Sequence, residues 1–157
     1  MISIAHHTIY LETPYFIPDK SFIDALLIAK SSGVDINLVI PGVPDKKTVY
    51  HVTYSYLEEL LKVGINVYLY PGFIHSKMVV CDDRVASIGT ANLDVRSFSM
   101  NFEVTALMFG KKEVIETIQI AVNDISKSHK LTYLEYKNIP KKDKIQEHLF
   151  RLCAPLM

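Results

Sequence analysis

The chain has 157 residues, of which 49% are hydrophobic and 22% charged, which is an ordinary globular composition with length enough for one packed core. Its 17 basic and 17 acidic residues cancel, so no overall field attracts nucleic acid or anionic lipid. No apolar run approaches the roughly 18 residues that a membrane-spanning helix needs, and the first residues lack the pattern of a secretory signal. We therefore expect this chain to be cytoplasmic.

Charge is spread unevenly along the chain. Residues 111–157 hold nine Lys or Arg and six Asp or Glu, whereas residues 1–110 hold eight and eleven. A basic segment of this kind is typical of a solvated helix face or of a surface that meets anionic lipid, and we favour the helix face. The two cysteines, Cys81 and Cys153, are too few for a disulfide framework or a metal site. The sequence therefore predicts no metal and no other cofactor.

Short β-rich runs alternate with helical patterns, which indicates an α/β layer architecture. The first half of the chain predicts a strand over 8–13, a helix from 20 to about 32, a strand over 35–40 and a helix from 46 to about 63. Asp19 and Asp45 are the expected N-caps of the two helices, and Gly33 and Gly64 their stops.

After Gly64 the hydrophobic pattern changes to a period of two residues. It predicts four strands, over 65–70, 75–81, 85–90 and 101–109, with a tight turn at residues 82–84. A helix over about 112–127 and a last helix from about 143 follow, and residues 154–157 are expected to fray. We expect a single domain over 1–157, with a core over about 8–129 and a C-terminal tail and helix over 130–157.

The stretch from His75 to Val104 holds the residues that suit catalysis. Side chains alternate between the faces of a strand, so His75 and Lys77 are expected to project side by side. The following strand ends at Thr90 and Asn92, and Glu103 shares a face with its polar neighbours on the strand after that. The pattern predicts one polar layer facing a common cleft.

These groups suit chemistry at a phosphodiester. An imidazole acts as a nucleophile when neutral and as a proton donor when protonated, and both forms exist near neutral pH. Lys77 and Asn92 would hold the non-bridging oxygens and stabilise the charge that grows in the transition state. Glu103, bonded to the far nitrogen of His75, would fix the tautomer of the ring. No step of this scheme requires a metal.

The segment His75-Ser-Lys77, four residues, Asp82, six residues, Gly89-Thr-Ala-Asn92 resembles the phospholipase D signature, H-x-K-x4-D-x6-G-[S/T]-x-N. A pattern of five specified residue types at fixed spacing seldom arises by chance. The runs TPYFIPD at 13–19, GFI at 72–74, NLDVRS at 92–97 and NFE at 101–103 are similar to the C-terminal half of bacterial cardiolipin synthases. The resemblance covers nearly the whole chain.

The resemblance implies a phospholipase D-like sandwich, in which helices flank a central mixed β-sheet. It also implies a phosphatidyl transfer through a phosphohistidine, in which one phosphatidylglycerol donates, another accepts, and glycerol leaves. By this resemblance the catalytic residues are His75, Lys77, Asp82, Asn92 and Glu103, with Thr90 in substrate binding. His75 would serve as general acid and base rather than as nucleophile, and Asp82 would support the site.

We further expect Tyr15, Phe16 and Phe73 to line a path for lipid, although aromatic residues near a sheet are also common in the core.

The chain differs from cardiolipin synthases in holding one signature where they hold two. Its expected partners are therefore a missing N-terminal half or a second copy of itself, a phospholipid substrate, and, in the full-length membrane-bound relative, the membrane surface of a bacterium. Two other functions stay open. One is a symmetric single-motif phosphodiesterase or nuclease, which the acidic balance of residues 1–110 disfavours. The other is a lipid-binding or partner-binding fragment without activity.

Overall fold

The computed structural model describes residues 1–152, except for the side chains of Lys141 and His148. The expected fraying of residues 154–157 lies outside the described residues. The described strands are β1 (Thr8–Glu12), β2 (Phe16–Ile17), β3 (Asp35–Pro41), β4 (Asn66–Tyr70), β5 (Met78–Cys81), β6 (Val85–Gly89), β7 (Leu93–Asp94), β8 (Thr105–Met108) and β9 (His129–Leu131). The α-helices are α1 (Lys20–Ser31), α2 (Lys47–Lys62), α3 (Val95–Ser99), α4 (Lys111–Lys127), α5 (Tyr133–Lys137) and α6 (Lys141–Arg151).

Seven strands form one mixed sheet in the order β8-β6-β5-β1-β3-β4-β9. The central pairs β1/β3 and β3/β4 are parallel, and the outer pairs are antiparallel. Strands β2 and β7 form a separate two-stranded parallel ribbon. A mixed sheet flanked by helices is the architecture that the sequence predicts, and it is confirmed.

The two faces of the sheet bury different helices, as the alternation of side chains along β1 shows. Ile9 and Leu11 point into the larger core, which also contains Leu26 of α1 and Leu57 of α2. The intervening Tyr10 packs into a smaller core on the opposite face, where Met78, Val80 and Ala86 meet Val114 and Ala121 of α4. Burial of these apolar faces is what holds the layers together, because each fully buried side chain contributes roughly 1.5–3 kcal/mol.

The N-terminal cap of α1 is as predicted, whereas that of α2 is not. The Asp19 carboxylate accepts a hydrogen bond from the backbone N–H of Phe22, 2.8 Å away, and Gly33 and Gly64 follow the two helices with φ of +90° and +83°. Helix α2 instead has Lys46 at its N-cap, without a side-chain hydrogen bond. The prediction that Asp45 caps α2 is wrong, because the Asp45 carboxylate accepts the hydroxyl proton of Tyr15.

Two predicted strands are shorter than their sequence pattern. Residues 75–77 lie in an extended segment before β5, and residues 101–104 precede β8 without strand pairing. Strand β5 begins at Met78, the residue at which its ladders with β1 and with β6 both end, opposite Glu12 and Ile88. The short elements β2, β7, β9, α3 and α5 are absent from the sequence prediction.

No helix in residues 1–152 is both long enough and apolar enough to cross a bilayer.

Candidate active site

His75 and Lys77 occupy the extended segment that leads into β5. The ammonium of Lys77 donates to the carbonyl oxygen of His75 over 2.9 Å. Partial burial lowers the pKa of Lys77, although the negative charges of Glu103 and Asp94 oppose that shift. The lysine is therefore a partly desolvated cation that lies within the field of two carboxylates.

The His75 side chain is exposed, and its ring lies 5.5 Å from that of Phe73 at a tilt of 35°. Phe73 in turn lies 6.4 Å from the ring of Tyr15. The described hydrogen bonds include none to the His75 imidazole. Phe73 and Tyr15 thus form an aromatic wall beside the histidine, and their place on a lipid path stays a prediction.

Thr90 and Glu103 connect the end of β6 to the segment before β8. The Thr90 hydroxyl donates to the Glu103 carboxylate and accepts from the backbone N–H of Val104 over 2.9 Å. The Asn101 amide donates to the other Glu103 oxygen over 3.2 Å. Bonds from Thr90 and Asn101, together with the charge of Lys77, lower the pKa of Glu103, so its carboxylate is ionised at neutral pH.

The predicted bond between Glu103 and His75 is absent from the described contacts. Residues 101–104 do not continue β8, and the Glu103 carboxylate accepts a hydrogen bond from the Thr90 hydroxyl instead. Gly89 makes this link possible, because a Cβ on Gly89 would collide with the backbone of Val104 and Thr105. The glycine and threonine of the signature therefore place Glu103 at the cleft.

Asn92 is held by a buried network that also shapes the loop beside it. Its side-chain N–H donates to Asp94 over 3.1 Å, and the Asp94 carboxylate accepts the backbone N–H of Ser97 at the start of α3. Thr13 ties this loop to β2, because its hydroxyl accepts from the Leu93 N–H over 3.1 Å and donates to the Tyr15 carbonyl. Thr13 and Asp94 hold the site in place, and the sequence alone did not identify either.

Asp82 lies in the turn at the far end of β5 from His75. Its two carboxylate oxygens accept the backbone N–H groups of His6, His7 and Thr8 over 2.8 to 2.9 Å. Burial alone would raise the pKa of Asp82, but these hydrogen bonds outweigh burial and hold the pKa below its ordinary value of 3.8. The structure gives Asp82 a position that fastens the start of β1 and leaves it apart from the groups at the cleft.

Phe16 was expected to line a lipid path, and the structure contradicts this. Its side chain is fully buried and packs edge-on against Phe22 and Tyr56. Tyr15, the preceding residue on the ribbon, faces the opposite way, because side chains alternate along an extended chain. Phe16 is a core residue.

Two depressions flank the signature residues. One, of about 480 Å³, is lined by Lys77, Gly89 and Thr105 together with apolar groups such as Phe22 and Phe98. The other, of about 300 Å³, is lined by Tyr15, Ile17, Lys46, Thr48, Val49, Asn92, Asp94, Arg96 and Asn101. Lys46 and Arg96 did not enter the sequence prediction, although Arg96 lies within the run NLDVRS that carries the resemblance.

The edge of the sheet beside the site is uncovered and apolar. Strand β8 is an edge strand, and Val104, Leu107 and Phe109 are 76%, 55% and 71% exposed. Phe102 is fully exposed. We call these four residues the apolar rim. Monomeric proteins seldom leave such a surface open.

The model of the family described as cardiolipin synthase, PLD-like domain, matches residues 1–125. The chain belongs to this family. It is 48% identical, over 158 aligned residues, to the major cardiolipin synthase ClsA of Bacillus subtilis; the alignment covers all of this chain and 33% of that protein. The chain thus spans about a third of the length of the curated relatives it matches.

Solved structures show the same fold. Phosphatidylserine synthase of Haemophilus influenzae superposes with a TM-score of 0.75 at 16% identity, over 97% of this chain and 40% of that one. Nuc of Salmonella typhimurium, a phospholipase D family member, gives a TM-score of 0.71 at 19% identity, over 83% of this chain and 86% of that one. The phospholipase D-like fold expected from the signature is confirmed.

Proposed function

We propose that this chain is one catalytic half of a phosphatidyltransferase that makes cardiolipin from two molecules of phosphatidylglycerol. The observation that carries the proposal is the gathering of Lys77, Thr90, Asn92 and Glu103 at one open end of the sheet, with His75 beside them. The likeness to curated cardiolipin synthases over the whole chain supports the choice of substrate.

In the first step, a histidine of the partner half attacks the phosphorus of the donor lipid. The bond from phosphorus to the glycerol oxygen breaks, and protonated His75 gives its proton to that oxygen. Lys77 and Asn92 bind the non-bridging oxygens and stabilise the charge that grows on them. Free glycerol and a phosphohistidine on the partner half result.

In the second step, a hydroxyl of the acceptor phosphatidylglycerol attacks the same phosphorus. The bond from phosphorus to the histidine nitrogen breaks, and neutral His75 takes the proton of the attacking hydroxyl. Both halves return to their initial protonation states. The net products are cardiolipin and glycerol.

This scheme needs two histidines, and His75 is the one that this chain supplies. The apolar rim borders the site, so we propose that the partner half covers it and brings the second histidine. The partner is an N-terminal half joined to this one, in keeping with the greater length of the relatives. The complete enzyme would work at a membrane surface, where its substrates reside.

The test is a transfer assay on vesicles of phosphatidylglycerol. We would compare this chain alone with a chimera in which it replaces the matching segment of the Bacillus subtilis relative. We expect cardiolipin and glycerol in equal amounts from the chimera, and none after His75→Ala. His6→Ala is the matched control, because His6 is exposed and bonds Asp82 only through its backbone.

Hydrolysis of single-stranded DNA by the chain, without transfer by the chimera, would favour the nuclease alternative. A chimera that transfers normally with His75→Ala would refute the site assignment.

A further inference from the structure

The polar depression of about 300 Å³ next to Asn92 has no role in the scheme above. Its two cations come from separate elements: Lys46 precedes α2, and Arg96 lies on α3. Asn92, Asn101 and Thr48 add neutral polar groups. We call this depression the Arg96 pocket.

Within residues 1–152, neither cation in the Arg96 pocket has an ion-pair partner. The ion pairs of the described residues include neither Lys46 nor Arg96. Asp94 is the acidic residue of the lining, and its carboxylate already accepts the Ser97 N–H over 2.6 Å and the Asn92 amide over 3.1 Å. The lining of the Arg96 pocket therefore carries two exposed cations and one carboxylate, and neither cation is paired with that carboxylate, so the N–H groups of Lys46 and Arg96 are available to bind an anion.

The neighbouring carboxylate of Asp45 keeps its negative charge, but its described hydrogen bond is to Tyr15 and not to Lys46 or Arg96. Burial, together with this bond and the charges of Asp45 and Asp94, raises the pKa of Tyr15 to about 12. The Tyr15 hydroxyl is thus kept protonated, and its ring forms part of the wall of the pocket.

We propose that the Arg96 pocket binds the phosphodiester of the acceptor phospholipid, with Lys46 and Arg96 as its ligands; this rests on the proposed function. A guanidinium presents a fork of N–H groups that matches two phosphate oxygens, and a lysine adds a point charge. Both transfer substrates carry a phosphodiester, and Lys77 and Asn92 serve that of the donor. A second anion site is needed for the acceptor.

The position of the Arg96 pocket fits this role. Asn92 borders it and also belongs to the signature, so a lipid bound there is adjacent to the phosphorus under attack. The phosphodiester of phosphatidylglycerol and its attacking hydroxyl are separated only by the glycerol carbons. Ile17 and Val49 supply apolar contacts for those carbons. Neither His75 nor Lys77 lines the pocket, which argues against its being the donor site.

The first test measures binding to the isolated chain, which needs no catalysis. The ligands are a short-chain phosphatidylglycerol below its micelle concentration and inorganic phosphate, followed by amide shifts in NMR titration. We expect the double change Lys46→Ala with Arg96→Ala to weaken binding of the lipid about tenfold or more, because charge-assisted hydrogen bonds are lost.

The matched control is Lys47→Ala with Arg84→Ala, which removes the same two charges from exposed positions outside the Arg96 pocket. This control should leave the affinity unchanged. Equal weakening by both double variants would show a nonspecific charge effect and overturn the proposal. Phosphate that binds as tightly as the lipid would show a general anion site rather than an acceptor site, and would also overturn it.

The second test uses the chimera and compares transfer with hydrolysis. Water can replace the acceptor and yield phosphatidic acid, and water does not need the Arg96 pocket. We expect the Lys46 and Arg96 changes to lower cardiolipin formation about tenfold while hydrolysis stays within about twofold. An equal fall of both products would overturn the proposal.

The two failures are distinguishable. A chimera without any transfer contradicts the proposed function, whereas normal transfer with both cations removed contradicts only the acceptor site.

Discussion

Asp82 offers a direct test of whether its place in the signature is structural. Replacing it with alanine removes the acceptor of three backbone N–H groups, from His6, His7 and Thr8. These donors are exposed or half-buried, so water replaces part of what is lost, and we take about 1 kcal/mol for each. Asp82 also has a φ of 53°, where alanine adds about 1 kcal/mol.

The expected loss for Asp82→Ala is therefore about 4 kcal/mol in the free energy of unfolding. For a domain of this size that corresponds to a fall in Tm of about 8–16 °C. Asp82→Asn keeps one acceptor oxygen and a residue type that tolerates positive φ, so it should lose about 1–2 kcal/mol. The assay is urea unfolding of the chain followed by circular dichroism.

The pH dependence of this loss has a definite sign. The folded-state pKa of Asp82 lies below its ordinary value of 3.8, so the carboxylate stabilises the fold above that pH and ceases to do so as pH falls through the folded pKa. The difference between wild type and Asp82→Asn should be largest near pH 7 and should shrink toward pH 3. Asp83→Ala, at the exposed neighbouring position, is the control. Unfolding midpoints for Asp82→Ala and Asp83→Ala that agree would refute this reasoning.

Four further predictions concern the site and the core. In the chimera, His75→Ala and Lys77→Ala should each remove most transfer while changing the free energy of unfolding by no more than about 0.5 kcal/mol, because the first side chain is exposed and the second half-buried at the cleft; near wild-type turnover would contradict this. Transfer should persist in EDTA, since Lys77 and Asn92 supply the electrostatics; a loss restored by a divalent ion would show a metal requirement. Glu12 is fully buried, and its carboxylate oxygens have no hydrogen-bond partner of normal geometry in residues 1–152. Burial and the charge of Asp124 raise the pKa of Glu12, against an opposing effect of the Ser76 hydroxyl, so stability should fall as pH rises from about 4.5 through the folded pKa. Glu12→Gln should abolish that fall between pH 5 and pH 8 in urea unfolding, whereas the exposed Glu59→Gln should not. The isolated chain should show no transfer as a monomer; activity that follows a monomeric peak in light scattering would overturn the two-histidine scheme.

The regular elements could be predicted because their signals are local. Alternation over β1 and the Asp19 cap of α1 depend on residues within one turn or one strand. The start of β5 could not be predicted in this way, since residues 75–77 continue the alternating pattern, whereas the ladders of β5 with both neighbouring strands end at Met78. The ribbon of β2 and β7 is two residues long on each side, too short for any period to appear.

The same distinction between local and long-range signals applies to the candidate site. The sequence predicted one polar layer of His75, Lys77, Thr90, Asn92 and Glu103, and in the structure Thr90 bonds Glu103 while Lys77 lies close enough to Glu103 to lower its pKa. It could not predict that Glu103 bonds Thr90 rather than His75, because that depends on how residues 101–104 leave β8. Lys46 and Arg96 lie 50 positions apart, and their convergence follows from the docking of α2 and the ribbon, which no local pattern encodes.

The apolar rim and the single signature histidine both indicate a partner at the same edge of the sheet. An edge strand that exposes Leu107 beside Phe109 would pair or aggregate if it stayed open, and the described residues include no charged side chain on β8 to prevent this. A partner that covers the rim removes this hazard. It also excludes water from Lys77, which strengthens the electrostatic attraction between Lys77 and a bound phosphate. By the proposed scheme, the same partner would face His75 across the cleft and supply the nucleophile there. Stability and catalysis therefore call for one occupant at this edge, so changes on the rim should weaken assembly and activity together.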